Sequence, residues 1–158
     1  MTVNDSDYYN WQKGTKLDSV KFRVPSPNLV ALKDYLVDRW HGQNVGIYQK
    51  RPIKGGTVPS SHSFGAALDW NYGSMDRQKV ESVVIPMLVA NSAQLGIQMI
   101  ADYAGCRIWV ASRAHDKNGG WKKQEPNSHG MGQGWSKWLH IETTKTMWKN
   151  KTPILNRI

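Results

Sequence analysis

The chain contains a single cysteine, Cys106, so it cannot form an internal disulfide. One cysteine also excludes the structural zinc sites that are built from several thiolates. Within the segment GCRIWV, Cys106 is predicted to be a small, buried, apolar residue. Neither a disulfide nor a structural metal is needed for stability, because a domain of 158 residues can bury a hydrophobic core of its own.

Long hydrophobic runs are lacking as well. The longest, VVIPMLVA, is too short to cross a bilayer, so we expect no stable membrane insertion. The first residues, MTVNDSDYYNWQKG, are polar and include acids, unlike a secretory signal. We therefore expect a protein that is made in the cytoplasm without a signal peptide.

Acidic side chains are few, with 12 against 21 basic ones and a net charge of +9. Such a balance favours polyanionic partners, either nucleic acid or the acidic polymers of a bacterial cell wall, or serves solubility alone. The basic residues are scattered, whereas a nucleic-acid-binding domain has a clustered basic stripe. We therefore expect no nucleic-acid partner.

Helical patterns come early in the chain. The segment 26–42 predicts a helix with Ser26 as N-cap and Pro27 at its first position. Its apolar residues recur at spacings of three and four and define one face: Leu29, Leu32, Leu36 and Trp40. A second helix is predicted over 73–96, with Ser74 as its cap, Pro86 as a kink or break and Gly96 as its end.

Strand patterns dominate the second half. After an early strand, VGIYQ, the segments IQMIADY and CRIWVAS predict a hairpin, and WLHIET predicts a last strand after a long glycine-rich loop over 113–137. These elements predict an α+β fold, a small antiparallel sheet flanked by helices. We divide the chain into a polar, loosely ordered lead-in (1–20), one domain (21–150) and a C-terminal tail (151–158).

The segment SSHSFGAALDW, residues 60–70, sets His62 seven positions before Asp69 with small residues between them. One interpretation is a loop that enters a buried strand. The other is a metal ion between His62 and Asp69, with Gly65, Ala66 and Ala67 letting the chain wrap closely around it.

The last strand supplies a third ligand. Alternation places Trp138, His140 and Glu142 on one face, and Leu139 and Ile141 on the core face. His62, Asp69 and His140 then form a three-ligand set, which is typical of a catalytic zinc with one open position.

The pattern Ser-x-His-x-x-Gly-x-Ala-x-Asp, followed by a late histidine on a strand, resembles the D-alanyl-D-alanine carboxypeptidase and L-alanyl-D-glutamate endopeptidase family of zinc peptidases. The resemblance spans about 24–144, and the segments GIYQKRPIKGG and GCRIWVASRAHDKNGGW look like those of phage endolysins and wall hydrolases of actinobacteria. It implies a fold related to lysostaphin-type peptidases and the hedgehog signalling domain. It also implies a monomeric, zinc-dependent peptidase that cuts peptidoglycan stem peptides or cross-links in the bacterial cell wall, as a phage lysin released through a pore or carried on a virion.

Carried over by position, the resemblance implies Zn²⁺ on His62, Asp69 and His140, and a substrate-contacting arginine at Arg51. An arginine fork suits this role because it can grip a carboxylate or oxyanion with two hydrogen bonds. Ser60 and Trp138 are expected to contact the substrate, and Trp121, Trp135 and Trp138 to wall its groove.

One position departs from the family. Many members carry an acidic general base three residues before the final histidine, where this chain has Lys137. We expect the base to be Glu142, ahead of His129 and Glu125, with Asp116 and Glu81 as weaker choices. Glu142 could instead orient a metal ligand. Loss of the acid leaves open an inactive wall-binding module of the same fold. His41 is expected to cap the first helix, and His115 to lie solvated in the loop.

Overall fold

A computed structural model describes residues 8–13, 16, 24–53, 56 and 58–158. Six strands form one sheet in the order β1-β2-β6-β3-β4-β5, and every neighbouring pair is antiparallel. The strands are β1 (Gln43–Gly46), β2 (Ala67–Asn71), β3 (Ile97–Asp102), β4 (Arg107–Val110), β5 (Trp121–Lys123) and β6 (Trp138–Thr143). The α+β class with an antiparallel sheet is thus confirmed, and β5 is a strand within the segment predicted to be a loop.

The first helix, α1 (Pro27–Trp40), follows the prediction. The Ser26 hydroxyl accepts a hydrogen bond from the backbone N–H of Leu29, and Pro27 occupies the first turn. The predicted apolar face is buried except for Trp40, which packs at the core edge. His41 ends the helix through its backbone, in a left-handed conformation whose N–H donates to the Val37 carbonyl.

The second helical region is divided into three pieces, α2 (Arg77–Lys79), α3 (Ile85–Ala90) and α4 (Ser92–Leu95). A π-helical turn over Val80–Val84 precedes Pro86, which lacks the N–H that would continue the α-helical ladder. The predicted end at Gly96 is confirmed. Pro86 does not split the helix: the backbone stays helical from Arg77 to Ala90, and the interruption falls at Asn91. The predicted cap is wrong: Asp76, not Ser74, accepts the hydrogen bond from the N–H of Gln78.

The helices cover one face of the sheet and bury its apolar side. Leu139 and Ile141 of β6 are fully buried there with the leucines of α1, as the alternation predicted. The opposite face of the neighbouring strands β2, β6 and β3 carries polar residues. No helix in the described ranges is long and apolar enough to span a membrane.

Three terminal or turn features differ from expectation. Part of the predicted lead-in is packed, since Trp11 is buried against Phe64 and Trp148, while 1–7, 14–15 and 17–20 lie outside the described residues. In the predicted tail, Ile154 joins the main core. Cys106 is only half-buried, because it sits in the β3–β4 turn with φ of 52°.

Candidate metal centre

Two adjacent strands bring the predicted ligands Asp69 and His140 face to face. The register of β2 against β6 pairs Asp69 with His140 and Ala67 with Glu142, and β3 places Ala101 on the other side of His140. The small alanines leave room for the imidazole and the carboxylates between them. The side-chain alternation predicted for β6 is therefore what assembles the centre.

His62 reaches the same point from a 3₁₀ turn over Ser61–Phe64. The Ser60 hydroxyl accepts from the N–H of His62, and Gly65 closes the turn in a left-handed conformation. A Cβ on Gly65 would lie 1.8 Å from the Val24 carbonyl oxygen. Gly65 therefore serves a close approach between two backbone segments. That the small residues Gly65, Ala66 and Ala67 let the chain wrap closely around a metal stays a prediction.

The tautomer of His62 follows from its neighbours. His62 Nδ1 lies 2.8 Å from the Ile47 carbonyl oxygen, which can only accept, so Nδ1 carries the proton. In the neutral imidazole, Nε2 is then a lone-pair acceptor. It is buried and lies 3.0 Å from Asp69 Oδ2. A proton on Nε2, which makes an ion pair with Asp69, or a metal ion bound to both atoms satisfies a contact of this length.

Asp69 contacts both imidazoles. Its Oδ1 lies 3.0 Å from His140 Nδ1, and its Oδ2 faces His62. One donor atom from each of His62, Asp69 and His140 fits within 4.8 Å of the other two. Two imidazole nitrogens and a carboxylate suit zinc and several other transition metals. This set of residues can bind a metal ion, which would replace the proton between His62 Nε2 and Asp69.

The outer nitrogen of His140 contacts a second carboxylate. His140 Nε2 lies 3.2 Å from Glu142 Oε1 and 3.4 Å from the Ser61 hydroxyl. Glu142 is buried, and its Oε2 accepts a hydrogen bond of 3.4 Å from the Gln98 amide. A carboxylate behind a ligating histidine commonly fixes its tautomer and ring orientation.

The protonation of the metal-free centre reflects these contacts. Burial alone would lower the pKa of His140, but hydrogen bonds and charge from Asp69 and Glu142 raise it to about 10. Burial alone would raise the pKa of Asp69 and of Glu142. The contacts with His140 outweigh it and lower both values.

The centre lies at the base of an open cavity of about 800 Å³. Of the predicted site residues, those that line it are Arg51, Ser60, Asp69, Trp138, His140, Glu142 and His129. His62 sits behind this wall, 3% exposed, so it can reach a ligand shared with Asp69 but does not face the open space. The structure thus brings the predicted metal ligands, Arg51, Ser60 and Trp138, and two of the base candidates, Glu142 and His129, to one place.

Arg51 is held at the cavity by its backbone. The Ser63 hydroxyl accepts from the Arg51 N–H at 3.0 Å and donates to the Arg51 carbonyl at 2.7 Å. The N–H of Ser60 also donates to the Arg51 carbonyl. Because Ser60 and Ser63 flank His62, the same turn positions a metal ligand and a guanidinium group.

Several predicted residues lie elsewhere. Glu125 is exposed and does not line the cavity, and the Asp116 carboxylate accepts from backbone N–H groups of its own loop. Glu81 is exposed and pairs with Arg77 on the far side of the sheet. Lys137 is exposed and also outside the cavity lining, so the position of the expected acid does not face the centre.

The aromatic wall is only partly as predicted. Trp138 lines the cavity, and Trp135, 63% exposed, packs on it with 5.7 Å between ring centroids. Trp121 instead lies under the Arg107 guanidinium, 4.0 Å from it, and packs against the core. Sequence reasoning missed Tyr103, which stacks on Trp138 and lines the cavity. Alternation from Met99 through Ala101 would have placed it there.

Comparisons of this chain with protein-family models, curated proteins and solved structures gave no match.

Proposed function

We propose that this protein is a zinc-dependent peptidase that hydrolyses an amide bond in the stem peptide or cross-link of peptidoglycan. The observation that carries the proposal is the convergence of His62, Asp69 and His140, whose ligand atoms all lie within 4.8 Å of one another at the base of an open cavity. The motif resemblance of residues 60–69 and 140 supplies the choice of zinc and of substrate.

His62, Asp69 and His140 would hold the metal. Bound zinc supplies Lewis acidity toward a carbonyl and lowers the pKa of a coordinated water. Two groups on the cavity can then take a proton, Glu142 and His129. Both carboxylate oxygens of Glu142 are already hydrogen-bonded, to His140 and Gln98, which favours Glu142 as the residue that orients His140. His129, exposed at the cavity, is the group we assign to proton transfer.

Substrate contacts follow from charge and shape. Arg51 presents a guanidinium group that can bind a peptide carboxylate with paired hydrogen bonds. Trp138 and Tyr103 offer stacked rings for apolar contact along the cavity wall. The net charge of +9 draws the protein toward an anionic wall. The setting would be a phage lysin that acts on the bacterial cell wall.

The test is incubation of purified peptidoglycan with the zinc-loaded protein, with and without chelator, followed by mass spectrometry of released ends. New paired amine and carboxyl ends that disappear with chelator are expected, and they name the bond that is cut. If zinc is bound and no ends appear, the proposal of catalysis is wrong. The exposed Lys137 then favours the second candidate, a wall-binding module of the same domain.

Glu142→Gln separates the two roles of this carboxylate. As the residue that orients His140, it should weaken zinc binding by about 10–100-fold, because ligand-orienting partners have effects of this size. As a general base, it should lower kcat at saturating zinc and leave zinc affinity near that of the wild type. Zinc affinity is measured by competition with a chromophoric chelator, and His129→Ala provides the converse variant, with kcat reduced and affinity unchanged.

A further inference from the structure

A β-bulge interrupts the sheet beside the metal centre. The pairing of β3 with β6 shifts register between Ile97 and Met99, so that Gln98 is the extra residue. Ile97 and Ile100 both face the core, and Met99 lines the cavity. Regular alternation from Ile100 would place Gln98 on the core face. Bulges commonly re-aim a side chain next to a site, and here Gln98 reaches Glu142 instead.

The fully buried Gln98 amide joins two parts of the molecule. Its Oε1 accepts from the Tyr9 N–H at 3.0 Å, and its Nε2 donates to the Tyr9 carbonyl at 2.9 Å. The same Nε2 lies 3.4 Å from Glu142 Oε2. A primary amide has two N–H donors, so one can bind Tyr9 while the other binds the carboxylate. Gln98 is thus held like a strand partner by the N-terminal segment.

The segment Tyr8–Lys13 is itself anchored to the domain. The Trp11 side chain is buried near Phe64 and Trp148, and its indole N–H donates to the Thr143 carbonyl at 3.2 Å. The Tyr9 ring packs edge-on against Trp11. The Lys145 ammonium lies over the Tyr9 ring, 4.4 Å from its centroid. Gln12, one residue further on, lines the metal cavity.

We propose that the segment Tyr8–Lys13 is a working part of the metal centre, with Gln98 as the positioning residue through which it acts. A continuous chain of polar contacts runs from the Tyr9 backbone through Gln98 and Glu142 to His140. Docking of Trp11 fixes the Tyr9 backbone, which fixes the Gln98 amide and with it the Glu142 carboxylate behind His140. The proposal rests on the metal site of the proposed function and does not require that the protein be a peptidase.

The test measures Zn²⁺ affinity of the full chain, by competition with a chromophoric chelator, alongside unfolding in urea. Gln98→Leu is expected to weaken zinc binding about tenfold, the lower end of the range for ligand-orienting partners, because it acts one contact further out. Trp11→Ala, which leaves Gln98 and Glu142 in place, should weaken it similarly. Trp11→Phe, which refills the aromatic pocket, should restore affinity.

Asn91→Leu is the control. Asn91 is a half-buried amide whose Nδ2 donates to the Met87 carbonyl at 2.9 Å, among the helices on the opposite face of the sheet from the metal ligands. It should lower stability as Gln98→Leu does and leave zinc affinity unchanged. Equal zinc affinity in wild type, Gln98→Leu and Trp11→Ala would overturn this inference alone. Failure to cleave peptidoglycan with these affinity differences intact would overturn only the proposed function, and a wild type that binds no zinc would overturn both.

Discussion

Two carboxylates of the sheet, Asp102 on β3 and Asp69 on β2, belong to clusters of different kinds. Asp102, at the end of β3, has a fully buried side chain that receives two hydrogen bonds from Arg77, at 2.8 and 2.6 Å, and one from Arg107 at 2.9 Å. Asp69, on β2, is 35% exposed at its side chain and faces two imidazoles, each 3.0 Å from one of its oxygens.

The difference lies in the partners. Arginine is always charged and fills the acceptor sites of a carboxylate by itself, so the Asp102 cluster is closed and complete. Imidazole can lose its proton and present a lone pair, so the Asp69 cluster can exchange the protons of its histidines for a metal ion. A buried ion pair of the first kind holds the fold together, whereas a half-open cluster of the second kind at a cavity can bind a ligand.

The largest expected effect is the loss of the metal. His140→Ala should reduce bound zinc from about one ion per chain to a trace, since a catalytic zinc needs three protein ligands. It should abolish any peptidoglycan cleavage at the same time. Metal content after dialysis is measured by mass spectrometry. His115→Ala, in an exposed loop outside the cavity, is the matched control and should retain the metal. Full zinc content in His140→Ala would show that the ligand set is wrong.

Asp102→Asn should instead destabilise the fold and spare the metal. Removing one partner of a buried ion pair costs about 3–5 kcal/mol. The Asp102 side chain is fully buried, but the Arg77 and Arg107 side chains are 26% and 32% exposed and can be solvated, so we expect the lower end of this range. We expect that loss in the free energy of unfolding, measured in urea, with zinc content unchanged. A loss below about 1 kcal/mol would place Asp102 with ordinary surface pairs.

In the metal-free protein, the Asp102 cluster should lose its contribution to stability at acid pH and the His140 cluster at alkaline pH. Burial would raise the pKa of Asp102, but its arginine partners lower it, so its contribution to stability is present above about pH 4 and is lost as pH falls through the folded value. The pKa of His140 is raised to about 10, so its contribution is present below about pH 6.5 and is lost as pH rises toward 10.

Unfolding free energies with chelator present, measured across this range, check both directions. Asp102→Asn should remove the acid dependence that arises from this carboxylate and keep the alkaline decline. An alkaline decline that persists in His140→Ala would contradict the assignment of that slope to His140.

The smallest effect on stability is expected at Glu81, the exposed partner of Arg77 in the Asp102 cluster. Arg77 also contacts Glu81 at 2.9 Å, but the Glu81 side chain is 52% exposed. Glu81→Gln should therefore change the unfolding free energy by no more than about 0.5 kcal/mol. Glu81→Gln and Asp102→Asn thus compare an exposed and a buried partner of the same guanidinium group. Equal changes in unfolding free energy would show that burial of the partner does not matter.

Much of the site was predictable where local pattern is sufficient. The motif over residues 60–69 and the alternation of β6 indicated His62, Asp69 and His140, and the structure brings these three together. Helix α1 was predictable because its cap and its apolar spacing act within a few residues of each other. The cap of the second helix was misplaced because Ser74 and Asp76 are both good capping residues, and only the packed structure selects one.

By itself, then, the sequence determined which residues could bind a metal and which side of each strand they occupy, because alternation is a local property of the backbone. Tertiary structure alone decided the register that pairs Asp69 with His140, the bulge that turns Gln98 toward Glu142, and the docking of Trp11 beside Phe64. It also left Glu125 and Asp116 outside the cavity. These depend on contacts between residues far apart in the chain, and no short window of sequence contains both partners.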